Sequence, residues 1–178
     1  MRSPVCEMKR SPSEKGLRRS NMPRAHSGDL DRTISERVAQ PIARKRVLVA
    51  DDNRSVLDLV ASLLSRSFDV VALVSDGQAA LDATLEFKPD LAVLDISMPR
   101  MSGIEVAREL RTRNSTAKVV FLTVHKDAEI LAACLAAGGR GYVVKELMGS
   151  DLISAMSEAL ADRVFVSRFS SEQETPRE

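Results

Sequence analysis

Short apolar runs in this 178-residue chain end repeatedly on a residue able to do chemistry. Val47-Leu48-Val49-Ala50 leads into Asp51-Asp52, Leu91 to Leu94 into Asp95, Lys118 to Leu122 into Thr123, and Gly141 to Val144 into Lys145. Singly, each residue has an ordinary explanation. An Asp after a strand caps a helix, a Thr is a β-former, and a Lys is solvated. Together on one rim, three carboxylates repel one another unless a cation lies among them. Hard oxygen donors with room for water suit Mg²⁺, which commonly takes only one or two carboxylates. A neighbouring amine and hydroxyl neutralise and hydrogen-bond an incoming phosphoryl group. An Asp beside Mg²⁺ is then a candidate nucleophile that becomes an aspartyl phosphate.

Placing these residues on one rim requires particular elements. Val56, Leu59, Val60, Leu63 and Leu64 recur at helical spacing after the first run. A second strand is expected at Val70 to Val74. A helix from Asp76-Gly77 to about Phe87 should follow, with Asp76 as N-cap and Lys88-Pro89-Asp90 as its stop. The pattern then predicts a strand at Leu91–Leu94, a helix from Gly103 to about Arg113, and a strand at Lys118–Leu122. A helix from Asp127 to Ala137 stops at Gly138-Gly139, a strand spans Gly141–Val144, and a last helix runs near Ser150 to Ala161. Five β-α units predict an α/β fold, a doubly wound, largely parallel (βα)5 sheet of five strands with helices on both faces. Ligands of such sheets bind beyond the carboxyl ends of the strands, where the five residues fall.

Charge divides the chain. Residues 1–46 hold 12 basic and 5 acidic side chains, a net of +7, while the rest carries −6, giving the overall +1. The segment to about Arg44 contains four of the seven prolines and six serines without lasting periodicity. It is expected to be a basic, disordered arm over residues 1–45, apart from a short helix at 29–40 stopped by Pro41. The arm has no apolar core of a secretory signal. The longest apolar run, Ile130 to Ala137, is far below the ~18 residues that span a bilayer, so no membrane association is expected. Aromatics are 3%, which argues against a nucleic-acid stacking surface. Two cysteines, Cys6 and Cys134, build neither a disulfide framework nor a zinc site, and Cys134 reads as a small core residue. A reducing, cytoplasmic setting is the expectation.

Val-Leu-Val-Ala-Asp-Asp-Asn, Leu-Asp-Ile-Ser-Met-Pro-Arg-Met-Ser-Gly-Ile-Glu, Phe-Leu-Thr-Val-His and Gly-Tyr-Val-Val-Lys together resemble the receiver domain of two-component response regulators. The likeness covers about residues 46–163, and its flavour is that of the CheY-like receivers of the NarL/FixJ subfamily. The resemblance implies a flavodoxin-like strand order 2-1-3-4-5. It makes Asp95 the phosphoacceptor, with Mg²⁺ held by Asp52 directly, Asp51 through water, Asp95, and the backbone carbonyl of Ser97. It implies that Lys145 pairs with the phosphoryl oxygens, that Thr123 swings toward them, and that Tyr142 moves inward in concert. Ser97 and His125 occupy positions that tune dephosphorylation. The implied partner is a sensor histidine kinase or a phosphotransfer protein. The implied switching surface is the fourth helix, fifth strand and fifth helix, also a candidate homodimer face. Ile130, Leu131 and Leu135 on the fourth helix are expected in the core rather than at a partner surface. At most, the domain would dephosphorylate itself; it is not a turnover enzyme.

Three departures from the family pattern stand out. Glu146 replaces the Pro that often follows the Lys, so that bond should be trans. Val124 replaces a usually small residue and would narrow access to Asp95. His125 reads as a rim residue governing water rather than a base. Two enzymatic rivals fail on sequence. A haloacid-dehalogenase-type phosphatase needs an acid where Ser97 stands, and a dinucleotide fold needs Gly-x-Gly-x-x-Gly where Asp51-Asp52-Asn53 stands. A pseudo-receiver that binds partners without phosphorylation is the alternative reading, disfavoured by the intact acidic set. Val164-Phe165-Val166-Ser167 resembles the start of a linker to a helix-turn-helix, and residues 164–178 are too few for a further domain. The expectation is a stand-alone receiver, or a fragment without its DNA-binding output, with DNA binding by this chain not expected.

Overall fold

A computed structural model describes residues 43–168. Among these residues, six strands alternate with five α-helices: β1 (Lys45–Ala50), α1 (Arg54–Leu64), β2 (Phe68–Val74), α2 (Gly77–Phe87), β3 (Leu91–Leu94), α3 (Gly103–Thr112), β4 (Lys118–Thr123), α4 (Ala128–Ala136), β5 (Gly141–Val144), a 3₁₀ turn (Lys145–Leu147), α5 (Met148–Leu160) and β6 (Phe165–Val166). Every strand pair is parallel, in the order β2-β1-β3-β4-β5-β6. The expected 2-1-3-4-5 sheet is present, with a sixth strand added from a segment read as a tail. The short helix expected at 29–40 and Cys6 lie outside the described residues.

The central strands are apolar throughout because both of their faces are covered. Val47 and Val49 of β1 face Leu57, Val60 and Leu64 of α1 and Leu152, Ala155, Met156 and Ala159 of α5. Leu48 and Ala50, one residue out of phase, face Ala80 and Leu81 of α2, Val106 and Leu110 of α3, and Cys134 of α4. Strand period 2 thus sorts one chain into two cores, two helices on one side and three on the other. Burial drives the Cys134 thiol up to about 12, as befits a packing residue.

Helix ends follow local chemistry. Asn53 caps α1 by accepting from Ser55 N at 3.0 Å, and Asp76 caps α2 by accepting from Ala79 N at 2.8 Å. Ser102 and Glu105 form a reciprocal capping box at α3.

Two helix faces differ from expectation. In α1 the buried set is Leu57, Val60 and Leu64, and Leu59 is 47% exposed. Both stripes have helical spacing, and the sheet selects one by covering only an arc of the helix. In α4 only Cys134 is buried; Ile130 and Leu131 are half-buried against the core and Leu135 is exposed. The last helix begins at Met148 rather than Ser150, because the 3₁₀ turn carries the chain straight from β5 into it.

Candidate functional site

The register of the central strands builds the rim. Ala50 pairs with Leu94, so the next residues, Asp51 and Asp95, stand side by side, tied by Asp95 N–H donating to Ala50 O at 2.8 Å. On the other flank Thr123 pairs with Val144, which places Lys145 one residue beyond Thr123. The connection leaving β1 runs to β2 and the one leaving β3 runs the opposite way, to β4, and so opens a crevice at these two strand ends.

Among the described residues, Asp51, Asp52 and Asp95 bring carboxylate oxygens within 4.8 Å of one another. Asp51 and Asp95 are buried and Asp52 is exposed. Lys145 Nζ lies 2.7 Å from Asp51 Oδ2 and 3.2 Å from Asp95 Oδ1. Backbone amides hold the other two oxygens: Asn53 N–H donates to Asp51 Oδ1 at 2.9 Å and Ser97 N–H to Asp95 Oδ2 at 3.2 Å.

Burial is the main force on Asp95 and holds its carboxyl above the usual carboxylate range. Lys145 opposes that shift and Asp51 adds to it. Burial alone would depress Lys145, but its contacts with Asp51 and Asp95 outweigh it and keep the ammonium above its ordinary value. Lys145 thus offsets part of the repulsion between Asp51 and Asp95.

The acidic set nonetheless fits a divalent ion. Asp51 Oδ2 is a buried hard oxygen beside the other two carboxylates, with the Lys145 ammonium as its ion-pair neighbour. An open cleft of about 500 Å³ beside Asp52, lined also by Arg54, Leu57, Val74 and Asp76, gives access from solvent.

The remaining expected residues form the wall. Ser97 Oγ is 3.0 Å from His125 Nε2, a direct link that the sequence did not reveal. Thr123 is fully buried and its hydroxyl accepts from His125 N–H at 3.1 Å. Tyr142 is already inside, its hydroxyl donating to His125 O at 2.9 Å, and burial drives its phenol up to about 12. Val124 is 61% exposed. Lys126 pairs with Glu146 at 2.6 Å across the top of β4 and β5. Among the described residues every peptide bond is trans, including the one after Lys145.

Beneath the acids, the loop from β3 to α3 is pinned by contacts far apart in sequence. Arg100, at φ 66°, sends Nε to Asp76 Oδ1 at 2.9 Å, and Gly77 N–H donates to Pro99 O at 3.2 Å. Asp76 therefore caps α2 and anchors the acceptor loop at once, and only its capping role could be read from spacing.

A parallel sheet in this order with an acidic pocket at its switch point defines a CheY-like α/β domain. The profile of the response regulator receiver domain matches residues 47–157, and the chain belongs to that family of two-component signalling domains. It is similar to the transcriptional regulatory protein PdtaR of Mycobacterium tuberculosis, 34% identical over 118 residues, 66% of this chain and 57% of that protein. It is 36% identical over 118 residues to the DNA-binding response regulator MtrA of Mycolicibacterium smegmatis, covering 66% of this chain and 51% of that one. The chain spans about half the length of these relatives. Among solved structures, the signal receiver domain of NarL from Mycobacterium tuberculosis superposes with a TM-score of 0.66 at 30% identity, covering 68% of this chain and 99% of that one. Among the described residues no helix is long and apolar enough to cross a membrane.

Proposed function

We propose that Asp95 accepts a phosphoryl group from the phosphohistidine of a sensor kinase or phosphotransfer protein, and that its charge switches a partner-binding face. The observation that carries this reading is the buried Asp95 carboxylate, shared between the Lys145 ammonium and the Ser97 amide at the mouth of an acidic crevice. A carboxylate oxygen of Asp95 forms the new O–P bond as the donor's N–P bond breaks, and the imidazole nitrogen keeps the electron pair. Lys145 is placed to hold the added oxygens, and Thr123 to bond one of them once its hydroxyl turns from His125. Asp51, Asp52, Asp95 and the Ser97 carbonyl are the groups to hold Mg²⁺, which would neutralise charge on the phosphoryl oxygens. Water attack on the acyl phosphate returns Asp95 to its carboxylate, and the Ser97–His125 pair sits where it governs that water's access.

Phosphorylation adds about −1.5 to −2 charges and biases an existing equilibrium. The readout is assigned to α4, β5 and α5, where Tyr142 is the internal marker and the exposed Leu135 and Ile153 supply apolar contact for a partner or a second copy. The setting that fits is the cytoplasm, with residues 45–167, from β1 through the sixth strand, as the signalling unit. The test is intact mass after incubation with acetyl phosphate and Mg²⁺. A single phosphoryl adduct is expected on the wild type and none on Asp95→Ala or in excess chelator. An undiminished adduct on Asp95→Ala refutes the assignment.

A further inference from the structure

The β5 strand carries Tyr142 and leads directly into Lys145, yet its outer edge is not open. Phe165–Val166 pair with Gly141–Tyr142 as a sixth parallel strand. Phe165 N–H donates to Arg140 O at 2.9 Å and Ser167 N–H to Tyr142 O at 2.8 Å. The two side chains follow the strand alternation: Phe165 packs into the α1/α5 core and Val166 into the opposite one. Ser167 is 2% exposed, and its hydroxyl makes two bonds. It donates to Asp151 Oδ2 on α5 at 2.6 Å and accepts from Val144 N–H at 3.4 Å. One hydroxyl therefore ties the residue before Lys145 to the helix behind it.

We propose that the β5 edge is a strand-accepting site controlled from Asp95: residues Phe165–Ser167 occupy it while Asp95 is unphosphorylated and leave it when Asp95 is phosphorylated. The proposal rests on the acceptor reading of Asp95 given above. Val144 is covalently joined to Lys145 and is the register partner of Thr123, the two groups that the added oxygens attract. A pull on both is a pull on Val144. Its bond to Ser167, at the far end of hydrogen-bond range, is the first to yield. A two-residue strand with half-buried side chains belongs to the least stable part of a sheet, so it opens before β5 itself does. The coupling is reciprocal: a docked strand must disfavour phosphorylation by the same factor.

Hydrogen exchange of the Phe165 and Ser167 amides in the full chain tests this, before and after acetyl phosphate with Mg²⁺, with intact mass taken on the same sample. Phosphorylation should lower protection of both amides by about tenfold, within the usual range of allosteric couplings. Ser167→Ala and Asp151→Asn should lack that protection from the start and show no further loss. An adduct with unchanged or greater protection overturns the proposal, as does wild-type protection in both variants. Absence of any adduct overturns the acceptor reading itself and the regulation with it.

Discussion

Asp95 and Lys145 set the electrostatic balance of the site, and each can be tested by removing one charge. Asp95 ionises above the usual carboxylate range because burial disfavours its charged form, despite Lys145 beside it. A native carboxyl of raised pKa holds its proton more tightly than the unfolded chain does, so stability declines as pH rises through the native value. Asp95→Asn removes that decline. It should stabilise the domain on the order of 1 kcal/mol near pH 7, the scale of relieving an imperfectly solvated buried group. The gain should vanish below about pH 4, where the unfolded Asp is also protonated. Thermal melts across pH check this, and equal gains at both ends of the range would refute it. Lys145→Ala acts in the opposite sense. It leaves Asp51 and Asp95 buried together without their ammonium, which should cost about 3 kcal/mol in chelator. Mg²⁺ should restore part of that loss by ligand linkage. A melt insensitive to Mg²⁺ in this variant would show that the acids do not bind the ion.

The loop from β3 to α3 shows how elements, rather than single residues, hold the acceptor in place. A Cβ on Gly103 would lie 2.1 Å from Asp95 O, and one on Gly77 would lie 1.9 Å from Met101 O. Both neighbours are backbone carbonyls, so neither clash is relieved by turning a side chain. Gly103→Ala and Gly77→Ala should each destabilise by about 2–3 kcal/mol. They should differ in function, since only Gly103 presses on Asp95 itself. The folded fraction of Gly103→Ala should phosphorylate more slowly than that of Gly77→Ala, read by adduct formation over time. Equal rates would mean that the acceptor tolerates displacement of its own carbonyl. Local signals made part of this scale legible: Asp76 reads as the cap of α2 from the sequence alone. The Arg100–Asp76 and Ser97–His125 contacts were not legible, because each joins residues more than twenty apart that meet only after the sheet has formed. The α1 face differs from its sequence pattern for a related reason. Leu59 and Leu57 serve a helical stripe equally well in sequence, and only the arc covered by the sheet decides between them.

At the scale of the whole molecule, the five-strand order and the converging acids were legible because buried parallel strands are continuous apolar runs, and the residue after each run falls on one rim. The sixth strand escaped because two residues show no period, and its bonds to β5 and α5 join residues far apart in sequence that meet only once the sheet has formed. Its presence changes where the folded unit ends. Without Phe165–Ser167, the β5 edge would expose the backbone acceptors at Arg140 and Tyr142, and both cores would lose a partly buried apolar side chain. Burial of a Phe and a Val, each only in part, less the entropy of fixing three residues, leaves on the order of 1–2 kcal/mol. Ending the chain after Arg163 should therefore lower the melting temperature by a few degrees relative to a chain ending after Arg168. It should also make the domain self-associate, because a bare strand edge invites another strand. Sedimentation across a concentration series separates the two effects. Association of the shorter chain that Ser167→Ala in the longer one partly reproduces would locate the cause at the β5 edge. Association of both wild-type lengths to the same extent would move it elsewhere, to the exposed apolar residues of α4 and α5.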